Sequence, residues 1–337
     1  MTRSHSDVIL SSSAAGIPTR PDVFASLRCP FEARRNPNIE AAAVAARAWL
    51  EHTFGATRGT KRLVRAHMEE LTAGFYPESD ATRLTFATRF LYWAFTLDDL
   101  VDETDVGRGT KALASLFKEL DHVLSGAPAS GQDPLHSGLA ELLNDLSSWA
   151  SDAELASFRE AMRAYFGALL WEANNRACSW VPDEVSFKLL RPAAGAVPPF
   201  WDLIGPVNGV RLGTVGFDDP RLERLRQLAG GIVCWYNDVL SFEKERDAGD
   251  VHNLVIVYMK RRDLSAQEAF AAAIEFCNVE VDAFVDTAAA LLNTAPSLAL
   301  RRYVATLESM MATTLHWTFG SQRYAGLKLE PSSRLSA

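Results

Sequence analysis

The chain has 337 residues, 48% of them hydrophobic, and 34 Lys and Arg against 42 Asp and Glu give a net charge of −8. That is enough length and apolar content for one large domain or two ordinary ones with a sizeable core. The mild acidity argues against a general nucleic-acid binder, which carries a basic face, and no apolar run is long enough to cross a membrane.

Residues 1–28, rich in Ser, Ala and Thr over the first twenty, are expected to be a disordered head with no signal-peptide core. Residues 29–326 are expected to form one helical domain, with 327–337 as a polar tail. The four cysteines (Cys29, Cys178, Cys234 and Cys277) form no CxxC pair. They suit free thiols in a reducing, cytoplasmic compartment.

Period-2 alternation is not sustained anywhere, whereas helical periodicity recurs from Asn38 onward. Asn36-Pro37-Asn38 predicts the start of a helix through Ala41–Phe54, closed by Gly55. Lys61–Phe75 is expected to be one helix, ended by Tyr76-Pro77. Ser79-Asp80 then caps the long helix Ala81–Glu103. Thr110–Leu124, Leu135–Trp149 and Asp152–Cys178 follow, with Ser125–Pro134 as a surface loop. Glu184–Leu190 is expected to stop at Arg191-Pro192, and Phe200–Ile204 leads into Gly205-Pro206. Asn208-Gly209 suits an irregular loop better than a hairpin turn. Asp219-Pro220 opens the helix Arg221–Asp247. Asn253–Arg262, Ser265–Leu292 and Pro296–Tyr324 complete an all-α, single-domain set of about ten to twelve helices.

The helix ending at Glu103 carries four acids in its last six residues: Asp98, Asp99, Asp102 and Glu103. Asp98 and Asp102 share a face four residues apart, and like charges there cost a few tenths of a kcal/mol. The helix C-terminus is itself the negative end of the macrodipole, which adds to the cost. A hard divalent cation would offset both, although the cluster alone fits a solvated acidic helix end as well. A second stretch adds weight. Asn237, Ser241 and Glu245 recur every four residues, lining up an amide, a hydroxyl and a carboxylate over about 12 Å of one helix face. Oxygen ligands of this sort hold Mg²⁺, which keeps waters and takes phosphate oxygens. The helix upstream is apolar through Leu228, Ile232, Val233, Trp235 and Tyr236, so this polar face emerges from a buried segment.

Asp98-Asp99-x-x-Asp102, followed by Asn237-Asp238-x-x-Ser241-x-x-Lys244-Glu245, resembles the paired metal motifs of class I terpene synthases of the bacterial and fungal type. Further elements fall in the family's order. They are Asn36-Pro37, Asp250-Val251-His252-Asn253-Leu254-Val255, an arginine (Arg191) 46 residues before Asn237, and Arg323-Tyr324 at the end of the last helix. The resemblance implies a single helical bundle around a deep apolar cavity. It implies three Mg²⁺ ions, with Mn²⁺ as the alternative, and an isoprenoid diphosphate substrate, most simply the C15 farnesyl form. Asp98 would bridge two metals with Asp102 nearby, and Asn237, Ser241 and Glu245 would hold the third. Arg191, Lys244 and Arg323 would contact the diphosphate and Tyr324 would donate to it, while Asp99 and Glu103 would tune charge or hold neighbouring donors. Phe95, one turn before Asp98, would face the cavity, as would Leu91 and Trp317. Phe75, Trp93, Phe200 and Trp235 are further aromatic candidates for which core packing is the commoner role. Gly195 would relay diphosphate binding through a backbone geometry open to glycine. The protein is expected to be a monomer or homodimer with no stable membrane insertion. Two rivals remain. One is a chain-elongating prenyltransferase, which usually carries two aspartate-rich motifs. The other is a non-catalytic isoprenoid-diphosphate binder.

Overall fold

Capping chemistry explains where most helices begin. The computed structural model describes residues 18–103, 109–128, 133–212, 219–295 and 297–321. In chain order its helices are α1 (Arg20–Ser26), α2 (Ile39–Phe54), α3 (Arg58–Arg65), α4 (Met68–Phe75), α5 (Ala81–Glu103), α6 (Thr110–Leu124), α7 (Pro134–Ser147), α8 (Asp152–Ala177), α9 (Glu184–Ala194), α10 (Val197–Asp202), α11 (Ile204–Asn208), α12 (Pro220–Ala248), α13 (Leu254–Arg261), α14 (Ala266–Thr294) and α15 (Leu298–Gly320). No strand occurs among the described residues, in accord with the all-α expectation. Ser151 and Ser265 form capping boxes with Glu154 and Glu268. Asp183, Asp219 and Asn253 accept from the first-turn N–H groups of α9, α12 and α13. Each such cap contributes about 1 kcal/mol.

α12 is the buried spine, packed along α14 and α15, while α5 lies along α2. Leu225, Leu228, Ile232, Tyr236 and Phe242 of α12 are almost wholly buried, and each large apolar side chain so removed from water stabilises by about 1.5–3 kcal/mol. α4 meets α15 at Gly74, where a Cβ would overlap the Thr313 side chain. The Ser309 hydroxyl donates to the Gly74 carbonyl across this close approach, at 2.6 Å.

Several boundaries differ from expectation. Lys61–Phe75 is two helices, because His67 adopts φ 53° between α3 and α4. The Trp317 indole of α15 donates to the carbonyls of Ala66 and His67 exposed by the break, at 2.9 and 3.2 Å. Order begins before residue 28: α1 buries Val23, Leu27 just after it is buried too, and Tyr236 donates to the Arg28 carbonyl at 2.6 Å. α9 does not stop at Arg191-Pro192 but runs through the proline to Ala194. Asn208-Gly209 closes α11, with Gly209 at φ 67°. The region between 197 and 208 holds two short helices where one was expected.

Asn36 ties the entry of α2 to the turn between α4 and α5. Wholly buried, its amide donates to the Tyr76 carbonyl at 2.7 Å, and to the Ser79 carbonyl and hydroxyl at 2.9 and 3.0 Å. Its own oxygen accepts from the Asn38 N–H at 2.8 Å. Asn36→Ala leaves these groups buried and unpaired, and should lower the unfolding free energy by about 2–4 kcal/mol in a urea titration. A loss below about 0.5 kcal/mol would contradict this role.

Candidate active site

Three helices deliver a common polarity gradient to one cavity of about 350 Å³. α5 lines it with Leu91 and Phe95, then Asp98, Asp99 and Asp102. α12 lines it with Val233 and Cys234, then Asn237, Lys244 and Glu245. α8 lines it with Tyr165, then Glu172 and Arg176. On all three the polar residues fall toward the C-terminal end. Contacts show that these ends converge: Arg176 lies 3.6 Å from Asp102, and Asn175 lies 3.1 Å from His252, just beyond α12. The mouth thus gathers the negative poles of three helices as well as the acids.

The acids carry that cost visibly. Desolvation and the neighbouring Asp98 carboxylate raise the Asp102 carboxyl well above the usual carboxylate range. Glu245 is pushed up to about 7 by desolvation and by Asp238 and Asp250. Asp99 is paired with Arg62 of α3 at 2.7 Å, which suits the expected part of holding a neighbouring donor. The Asn253 amide fixes Glu245 at 2.9 Å while also donating to the Asp238 carbonyl at 2.7 Å. Ser241 is buried, absent from the cavity wall, and donates back to the Asn237 carbonyl at 2.7 Å. Its oxygen keeps lone pairs for a further partner. The donor set is carboxylate, amide and hydroxyl oxygen, which fits a hard divalent cation. Among the described residues no group of three His, Cys, Asp or Glu side chains could hold a metal ion.

Arg191 lines the cavity but its guanidinium is held from below. Nε and Nη2 donate to Asp238 Oδ1 at 3.0 and 2.8 Å, and Nη2 reaches Asn237 Oδ1 at 3.4 Å. The other Asp238 oxygen accepts from Leu254 N–H at 2.9 Å, so one carboxylate fixes both the arginine and the start of α13. Gly195 also lines the cavity, though not through a glycine-only conformation. It sits at φ −77°, and Ala196 takes the left-handed turn at φ 55°. Gly195 is needed for proximity, since a Cβ there would lie 3.1 Å from Cys234 Sγ.

Of the aromatic candidates, Phe75, Phe95, Phe200 and Trp317 line the cavity with Leu91, and Phe95 meets Trp317 edge-on at 6.3 Å. Trp93 and Trp235 do not. Trp93 is buried with its indole donating to the Leu135 carbonyl, and Trp235 packs between Phe187 and Phe276. Arg323, Tyr324 and the Glu103 side chain lie outside the described residues. Sequence reasoning quoted Asp238 within the α12 motif without giving it a role, and missed Tyr165, Glu172 and Arg176. An acid beside an apolar stretch of α12 needs a buried partner, which was a usable signal for Asp238. Glu172 and Arg176 were visible as an i,i+4 pair amid apolar neighbours.

Asp238 is wholly buried and Arg191 nearly so. Asp238→Ala leaves a buried guanidinium unpaired and should destabilise the protein by about 3–5 kcal/mol in chemical denaturation. The double variant with Arg191→Met should recover much of that loss, and a strictly additive double variant would show that the pair is not coupled.

Residues 89–283 match the family model described as terpene synthase family 2, C-terminal metal binding. The chain is 32% identical over 309 residues to the (+)-T-muurolol synthase ((2E,6E)-farnesyl diphosphate cyclizing) of Roseiflexus castenholzii, covering 90% of this chain and 94% of that one. It is 31% identical over 266 residues to the (−)-delta-cadinene synthase of Streptomyces clavuligerus, covering 78% and 81%. Among solved structures, germacradien-4-ol synthase from Streptomyces citricolor superposes with a TM-score of 0.78 at 26% identity, over 87% of this chain and 97% of that one. With its helical fold, its acid-lined cavity and these relatives, the chain belongs to the class I terpene synthases.

Proposed function

We propose that the protein is a Mg²⁺-dependent sesquiterpene cyclase acting on farnesyl diphosphate, with three metal ions and Mn²⁺ as a workable substitute. One observation carries the reading: an aromatic-walled apolar cavity has Asp98 and Asp102 of α5 and Asn237 and Glu245 of α12 in its lining. Asp98 and Asp102 would hold metal on one side, and Asn237, Ser241 and Glu245 on the other. Waters and diphosphate oxygens would complete the shells. When bound, the ions supply Lewis-acid stabilisation of the leaving diphosphate.

The chain's own residues do the rest. Arg191, steadied by Asp238, and Lys244 present fixed positive charge to the diphosphate as the allylic C–O bond breaks and its electron pair leaves with oxygen. Arg323 and Tyr324 are proposed to join them. No protein nucleophile is required. Phe75, Phe95, Phe200 and Trp317 then border the carbocation. Aromatic rings attract positive charge, and an apolar wall withholds water until a proton is lost or a water adds. The cavity, about 350 Å³, falls within the range of about 300–1,000 Å³ for small-molecule sites. The relatives described above are cyclases, and the second motif reads Asn/Ser/Glu instead of aspartate-rich, so chain elongation is not favoured. All four cysteines are unpaired and no described helix is long and apolar enough to cross a membrane. These features suit the cytoplasm, where we place the reaction, with the protein as monomer or homodimer.

Gas chromatography–mass spectrometry of products from C10, C15 and C20 diphosphates with Mg²⁺ tests the reading. Farnesyl diphosphate should give a cyclic C15 hydrocarbon or alcohol, and chain extension with isopentenyl diphosphate and no cyclic product would sink it. Asp98→Asn and Glu245→Gln should each cut cyclic product by about 10²–10³-fold while leaving the fold intact. Wild-type output from either variant would remove that residue from the proposed metal set.

A further inference from the structure

One cation of the mouth belongs to neither metal motif. Arg176, on the cavity-facing side of α8, lies 3.6 Å from Asp102 and 3.5 Å from Glu172. Asp102 and Glu172 face the guanidinium directly, and Asp98 and Asp250 line the same cavity. Four carboxylates from α5, α8 and the α12–α13 turn therefore act on one guanidinium. Its side chain is only 23% exposed, and among the described residues its buried Nη2 has no hydrogen-bond partner. An arginine fork can give several N–H bonds in fixed directions, yet its contacts with Asp102 and Glu172 are both longer than a good hydrogen bond. The guanidinium is held by charge instead of by well-made hydrogen bonds, so it can be exchanged.

We propose that Arg176 is the protein's own competitor for the divalent cation at Asp102. It neutralises the acid cluster until metal binds, and then passes its donors to the diphosphate. This rests on the metal-dependent cyclase reading. A divalent ion held by Asp102 would repel the guanidinium from its 3.6 Å position, and a bound diphosphate would offer it a new anion within the cavity. Arg176 is thus a positioning residue for metal loading, and it couples metal entry to diphosphate retention.

Electron paramagnetic resonance of free Mn²⁺ tests this on full-length protein stripped of metal, with no diphosphate present. Removing a positive charge this close to a ligand carboxylate should tighten Mn²⁺ binding in Arg176→Gln about tenfold. Arg176→Lys, which keeps the charge, should stay within about twofold of wild type. A purely structural arginine predicts unchanged or weaker Mn²⁺ binding in Arg176→Gln, and that result overturns the proposal. If Arg176→Gln does not fold, a crystal structure of wild type with Mg²⁺ and inorganic pyrophosphate decides. Arg176 on a diphosphate oxygen supports the exchange, and Arg176 still on Asp102 overturns it. Wild-type turnover of farnesyl diphosphate with Mg²⁺ separates the two readings. Without turnover the cyclase reading fails, whereas turnover with unchanged Mn²⁺ affinity in Arg176→Gln removes only the role of Arg176.

Discussion

The convergence of three helix C-termini on one mouth is the constraint to which the rest of the structure answers. A single C-terminus carries roughly half a negative charge, and α5, α8 and α12 bring their ends together. Placing Asp98, Asp102, Glu172 and Glu245 there concentrates negative charge at one mouth. The Asp102 and Glu245 carboxyls are raised first by desolvation and then by neighbouring carboxylates, Asp98 for the one and Asp238 and Asp250 for the other. A mouth built this way attracts cations of high charge density, and through them a polyanionic substrate that bare carboxylates would repel.

Protein cations offset part of the load and thereby set which acids are left for metal. Arg62 takes Asp99, Arg176 stands against Asp102 and Glu172, and Arg191 is committed to Asp238 below the surface. The last pair has a positional purpose. Asp238 also caps the entry to α13, so the arginine, the Asn/Ser/Glu helix and the following turn are registered to one another. Asn253 extends the same registration to Glu245. Below this charged layer the same three helices turn apolar, so the acid-lined mouth and the apolar chamber are two stretches of the same secondary structure.

Much of this was legible in the sequence because it is periodic or local. The acids of α5 and the oxygen ligands of α12 fall at helical spacing, so their faces follow from geometry. Asn36, singled out beside Pro37, became a buried hub between α2, α4 and α5. What escaped depends on contacts between distant segments. The His67 break is stabilised by Trp317, some 250 residues away in the chain, and helical periodicity continues through it undisturbed. The left-handed residue is Ala196 and not Gly195, whereas at Gly195 the issue is crowding, since a Cβ there would lie 3.1 Å from Cys234 Sγ, a demand that residue type alone does not distinguish from conformational freedom. Trp93 and Trp235 sit on the far side of their helices from the chamber, where only packing partners show their role. The α8 wall was missed because the i,i+4 pair Glu172 and Arg176 matches no motif by itself and, with Tyr165, gains meaning only opposite α5.

The central claim is that the mouth cannot hold a diphosphate until divalent cations offset its converging helix ends and acids. Isothermal titration calorimetry with inorganic pyrophosphate, with and without Mg²⁺, tests it most directly. The account predicts no measurable binding in chelator and saturable binding once Mg²⁺ is present. Equal pyrophosphate affinity in the two conditions would contradict it.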